Sequence, residues 1–148
     1  MEKILFKVLD DDVILPNYAY LEDAGMDIYS NEDKLLLPNN WALIKTGFSM
    51  LLPNGYEAQV RSKSGLALKS GIICLNSPGT IDCNYRGEVG VIVMNVSSVP
   101  YQIKKGQKIA QMVINKIEHL DCEVVEDLPT SNRGEGGFGS TGIDNNRK

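Results

Sequence analysis

One histidine and one tryptophan are all that this chain of 148 residues holds of either. The histidine, His119, sits among Glu118, Asp121 and Glu123, which is the setting of a surface residue rather than a catalyst. Three cysteines, at 74, 83 and 122, make an odd count with no CxxC spacing. With a single histidine they argue against a zinc site. They read as structural thiols in a reducing compartment, so a cytoplasmic location is expected, the host cytoplasm for a viral chain. Positive charge is not in excess either. Fifteen Lys and Arg face nineteen Asp and Glu, a net charge of −4, so no nucleic-acid partner is expected and any polyanion must be met by local cations. No apolar run approaches a membrane span, and Met1-Glu2-Lys3 leads into too few apolar residues for a signal peptide.

The chain does carry regular turn signals: Pro16-Asn17, Pro38-Asn39-Asn40, Pro53-Asn54-Gly55, Ser77-Pro78-Gly79 and Lys105-Gly106. Between them lie β-prone runs, clearest at Ile4–Val8, Trp41–Leu52, Tyr56–Arg61, Val89–Val96 and Ile109–Ile114. Val89–Met94 is apolar on both faces and predicts a buried strand. Ser64–Lys69 is the one helix candidate, about two turns long. Many short strands with frequent turns indicate an all-β sandwich or barrel, and a jelly roll fits. Hydrophobic residues at 43% and charged residues at 23% suit one folded domain, residues 1–126.

From Asp127 the composition changes. Residues 127–148 are rich in Gly, Ser, Asn and charge, and too apolar-poor to offset their ordering entropy alone. One aromatic, Phe138, stands among Gly136, Gly137, Gly139 and Gly142. That argues for a flexible arm that folds over something rather than a plain terminus. Glycine-rich backbone exposes N–H groups to phosphate, Arg133 adds a fork of donors, and Ser140 and Thr141 add hydroxyls. No Gly-Lys-Ser/Thr follows the glycines, so this is not a Walker loop.

The densest chemistry lies in Gly79-Thr80-Ile81-Asp82-Cys83-Asn84-Tyr85-Arg86-Gly87-Glu88. A carboxylate, Asp82, precedes an aromatic hydroxyl, Tyr85, by three residues. Glycines bracket the run, as a tight hairpin or a close approach to a ligand requires. Such a carboxylate is placed to activate water, and such a ring to pack on a sugar. An ordinary strand pair with a solvated Asp is the plainer alternative.

Four further segments accompany it in order: Ala24–Ser30, Lys63-Ser64-Gly65-Leu66-Ala67, Gly106–Gln111 and Arg133–Gly142. Together the five resemble the motifs of the homotrimeric dUTPases, the deoxyuridine triphosphate nucleotidohydrolases. The resemblance spans residues 24 to 142.

It implies a jelly-roll-like β barrel with one short helix, and a homotrimer in which three chains share each active site. It implies Mg²⁺ as cofactor and dUTP as substrate, cleaved to dUMP and pyrophosphate by attack of water on the α-phosphorus. Asp82 is then the general base. Asn76 and the backbone of Gly79, Thr80 and Ile81 read the uracil edge, and Tyr85 packs on the deoxyribose. Lys63, Ser64, Gly65 and Gln111 hold phosphates. Most members carry Arg where Lys63 stands, and Lys is a point charge rather than a fork. Arg61, two residues earlier, is the candidate substitute. Asp27 is linked to the metal indirectly, through water; a turn or interface carboxylate is its alternative. In the arm, Arg133 meets the γ-phosphate, Phe138 covers the uracil, and Gly139, Ser140 and Thr141 close the loop.

Two other classes compete. A dCTP deaminase on a related fold needs a glutamate ten residues after the aspartate, where this chain has Ile92. A non-enzymatic nucleotide-dependent regulator would use every motif residue except Asp82.

Overall fold

Glycine at position 47 divides what looks like one long strand. Gly47 takes φ 77°, and the run Trp41–Leu52 becomes two strands, Trp41–Lys45 and Phe48–Leu51. A Cβ at Gly47 would also meet Val13 and Asn31, so both backbone and space require glycine there. The computed structural model describes residues 2–143.

In chain order the elements are β1 (Leu5–Val8), β2 (Gly25–Tyr29), β3 (Lys34–Leu36), β4 (Trp41–Lys45), β5 (Phe48–Leu51), β6 (Tyr56–Arg61), α1 (Ser64–Ser70), β7 (Ile72–Cys74), β8 (Gly79–Asp82), β9 (Gly90–Asn95), β10 (Tyr101–Ile103) and β11 (Lys108–Lys116). The fold is all-β with one short helix, as expected. Every strand pair is antiparallel. Four small sheets result, ordered β1-β5, β10-β3, β2-β11-β6-β8 and β4-β9-β7. They do not close into a continuous barrel, and the arrangement is compatible with a jelly roll.

β9 alternates rather than being buried on both faces. Val91, Val93 and Asn95 are buried, while Gly90, Ile92 and Met94 are half-buried. The core takes Val91 and Val93 together with Ile28, Leu36, Ile44, Phe48, Ile72, Ile103 and Met112. Phe6 packs edge-on to Phe48 at 5.5 Å between ring centres. Asn95 is fully buried yet satisfied: its amide donates to the carbonyls of Leu36 and Val99, and its oxygen accepts from Ser97. Helix α1 ends at Gly71, whose left-handed φ of 63° lets its N–H cap Ala67 and Leu66.

The chain separates into two compact units, Met1–Glu118 and His119–Lys148. The second holds no strand or helix among its described residues, only tight turns such as Gly134 N–H to Ser131 O and Ser140 N–H to Gly137 O. Among the described residues no helix is long and apolar enough to cross a membrane. The three thiols are free: Cys74 is buried, Cys83 half-buried and Cys122 exposed.

Candidate active site

The Gly79–Glu88 segment is not a hairpin. β8 pairs with β6, β9 pairs with β4 and β7, and residues 83–89 are a loop crossing between two sheets. Nor is left-handed backbone the reason for its glycines, because neither Gly79 nor Gly87 has positive φ.

The loop is held by its own bonds. Tyr85 N–H donates to Asp82 O at 3.1 Å, and one Arg86 nitrogen donates to Cys83 O at 2.7 Å and Tyr85 O at 2.9 Å. The Tyr85 hydroxyl donates to Glu88 O at 3.0 Å. Glu88 in turn accepts from Gly47 N–H at 2.9 Å. Asp82 and Tyr85 are thus presented to solvent by a rigid support. They line a cavity of about 260 Å³ with Asn76, Thr80, Ile81, Leu43, Glu88 and Ile92. Its apolar wall comes from Leu43 and Ile92. Ile92 has no proton to give or take, so the position ten residues after Asp82 offers no deaminase glutamate, and the glutamate that does line the cavity, Glu88, stands elsewhere.

A second cluster forms on the same sheet. Residues directly opposite in an antiparallel ladder share a face. Asp82 stands opposite Glu57, Thr80 opposite Gln59, and Gln111 opposite both Arg61 and Asp27. One polar face therefore carries Asp82 at one end and Gln111 with Asp27 at the other. The two ends are four residues apart along β6, roughly 13 Å at strand rise.

Asp27 is buried and pairs with the ammoniums of Lys63 and Lys108, the latter at 2.6 Å. Burial pushes its carboxyl up, but the hydrogen bonds and charges of Lys108 and Lys63 outweigh this and hold it below the ordinary 3.8. Lys108 is raised above the ordinary 10.5, chiefly by its bond to Asp27. The Gln111 amide donates to Ser62 O at 3.0 Å. Ser64 and Gly65 open helix α1, both exposed. Arg61 does not join this cluster, because its guanidinium donates to Gln59 at 2.7 and 3.2 Å.

Lys108 was not legible from the motif. Strand alternation puts it on the core face with Ala110 and Met112. A bulge between Lys108 and Ala110 shifts the register, sets Lys108 opposite Tyr29 and turns it to the polar face. Ser62 and Leu43 were likewise missed, since nothing in their local sequence distinguishes them, and Glu88 ends the Gly79–Glu88 segment without a sign that it lines the cavity.

In the second unit, Arg133 Nε donates to Gly136 O at 2.7 Å within a turn. Phe138 is fully exposed with φ 49°. Gly139, Ser140 and Thr141 follow it in turns. Among the described residues no three His, Cys, Asp or Glu converge on a metal position.

Residues 11–142 match the dUTPase family. The deoxyuridine 5'-triphosphate nucleotidohydrolase of Clostridium tetani is 54% identical over 136 residues, covering 92% of this chain and 94% of that one. A mutant dUTPase of Staphylococcus bacteriophage 80alpha, solved with dUpNHpp, superposes with a TM-score of 0.90 at 29% identity, covering 97% of this chain and all of the other. A mutant dUTPase of phage phi11 of S. aureus, described as revealing how a structural Mg(II) ion is coordinated, gives 0.80 at 27% identity over 86% of this chain and 99% of its own. Sequence and fold agree along nearly the whole length, and the chain belongs to the dUTPase family.

Proposed function

We propose that the chain hydrolyses Mg²⁺-bound dUTP to dUMP and pyrophosphate at a site assembled from three copies, lowering dUTP and supplying dUMP for thymidylate synthesis. The observation that carries this reading is the separation on the polar face of the β2-β11-β6-β8 sheet. Asp82 lies roughly 13 Å along β6 from the level of Gln111 and Asp27, and Asp27 pairs with Lys63. A general base must come within hydrogen-bond reach of the water it activates. This separation supports a site in which one copy's Asp82 works on phosphates held by the Lys63 of a neighbouring copy.

In this reading uracil enters the 260 Å³ cavity. Asn76 and the backbone of Gly79, Thr80 and Ile81 pair with its edge, and Tyr85 packs on the deoxyribose where a 2′-hydroxyl would clash. Lys63, Ser64, Gly65 and Gln111 from a second copy grip the phosphates, with Lys108 adjacent. The arm of a third copy brings Arg133 to the γ-phosphate and Phe138 over the uracil, with Gly139, Ser140 and Thr141 closing the loop. Asp82 then takes the proton of a water in line with the α-phosphorus.

The metal travels with the triphosphate. Mg²⁺ keeps several waters and binds chiefly through substrate phosphates, which fits a chain without a carboxylate cage among its described residues. Asp27 would reach the metal's water shell by giving up one of its two lysine partners. Bound there, the metal neutralises phosphate charge.

The test is turnover of dUTP, UTP, dTTP and dCTP with and without Mg²⁺. Expected is Mg²⁺-dependent release of pyrophosphate from dUTP, with weak or no use of the others. Ammonia from dCTP overturns the assignment, and comparable use of UTP overturns the role of Tyr85. Tight binding of dUTP without turnover would instead favour a regulator.

A further inference from the structure

Gly87 has no backbone reason to be glycine. Its φ lies outside the left-handed region, and it is exposed in the loop between β8 and β9. What requires glycine is the Tyr85 ring. A Cβ built on Gly87 would lie 2.6 Å from Tyr85 Cζ and 3.1 Å from Cε2, and closer still to the hydroxyl oxygen. No other neighbour ranks among its three nearest atoms. The phenol rests in the space that a side chain at 87 would take, and there its hydroxyl reaches Glu88 O at 3.0 Å.

We propose that Gly87 is a specificity-determining position: its missing side chain is the seat that fixes the Tyr85 ring, and so sets discrimination between deoxyribose and ribose substrates. This rests on the reading of Tyr85 as the sugar-facing residue. The physical basis is which group yields. Tyr85 is half exposed and is the far end of a rotatable side chain, whereas the loop backbone is tied by Arg86 to Cys83 O and Tyr85 O and by Val89 N–H to Phe48 O. An added methyl therefore displaces the ring rather than unfolding the loop. Gly25 repeats the arrangement at the phosphate cluster: a Cβ there would lie 2.7 Å from Gln111 Oε1, again at ordinary φ.

The experiment compares kcat/KM for dUTP and UTP in wild type, Gly87→Ala, Tyr85→Ala and the double variant, with melting temperatures for each. Gly87→Ala should fold and melt like wild type but lower the dUTP-to-UTP ratio at least about tenfold, the lower end of steric discrimination by a pocket. In the Tyr85→Ala background the same change should have no further effect on the ratio, because the group it displaces is gone. Two results overturn the inference while leaving Tyr85 in its role: Tyr85→Ala lowers the ratio but Gly87→Ala does not, or the Gly87 effect persists in the double variant. Failure of Gly87→Ala to fold is decided by the double variant. Recovery of folding there identifies Tyr85 as the obstacle and supports the seat; continued failure overturns it. A wild-type enzyme that does not discriminate UTP, or a Tyr85→Ala variant with an unchanged ratio, overturns the role of Tyr85 itself and the inference with it.

Discussion

Lys108 and Asp27 form an ion pair at 2.6 Å across the β2–β11 ladder, made possible by the bulge that turns Lys108 out of the core face. With Lys63 on the other carboxylate oxygen, the buried Asp27 joins two cationic segments distant in sequence. Its charge state therefore matters to stability, and the sign can be worked out. Asp27 is depressed below 3.8, so its contribution is complete above that value and lost as pH falls through the lower folded-state value. Lys108 is raised above 10.5, so its contribution is present below that value and lost as pH rises beyond it. Denaturant unfolding of wild type and Asp27→Asn should show a constant stability gap through neutral pH that closes below 3.8. A gap unchanged at pH about 2 would show that Asp27 is not the responsible charge.

Asp82→Asn should keep the fold and dUTP binding and lose turnover by roughly 10²–10⁴-fold, the usual effect of removing a general base. Asp82 is exposed at the end of β8 and supports no core contact, so its melting temperature should stay that of wild type. Near-wild-type hydrolysis by the variant would assign water activation to another group.

Deleting residues 130–148 should leave a stable folded protein with little activity, because the described part of that segment adds no residue to the hydrophobic core. In the intact chain, dUpNHpp with Mg²⁺ should protect the segment from protease. Equal cleavage with and without the analogue would count against closure over the nucleotide.

Asp82→Asn and the 130–148 deletion, co-refolded in equal amounts, should recover activity in mixed trimers. Under the proposed shared site a working centre needs Asp82 from a deletion subunit and an arm from an Asp82→Asn subunit, so about a quarter of sites should function under random assembly with closed three-fold symmetry. A site built within one chain would recover none. Native mass spectrometry establishes that mixed trimers are present before the activity is read.

Lys63→Arg tests the departure at the proposed phosphate cluster. A guanidinium forks onto phosphate where an ammonium meets it at one point. The expected result is a lower KM for dUTP with kcat within about twofold, since binding common to ground and transition states changes KM alone. A rise in KM would show that pairing with Asp27 needs the compact ammonium.

Much of this was legible because its causes are local. Alternation and turn residues place β1, β6 and β11, and Gly71 stops the helix by taking the left-handed turn that leads into the apolar run of β7. The division at Gly47 was not, because β propensity continues through Thr46, and the left-handed φ and the crowding by Val13 and Asn31 show only in the fold. Short strands such as β3, β7 and β10 carry too few residues for a period to show, and they exist because partners elsewhere in the chain supply their ladders. At the site, Asp82 and Tyr85 stand out by residue type and spacing, whereas the loop between two sheets reads like a hairpin from sequence. Lys108 needed a register shift that no local pattern announces.

The cysteines offer a practical handle. Burial pushes the Cys74 thiol up and shields it, whereas Cys83 and Cys122 are reachable by solvent. A Cys122→Ser chain therefore presents thiol-directed dyes with a single accessible attachment point, covalently adjacent to Asp82. A fluorophore at Cys83 would sit one residue from Asp82, where a change in emission on adding dUpNHpp would report nucleotide binding.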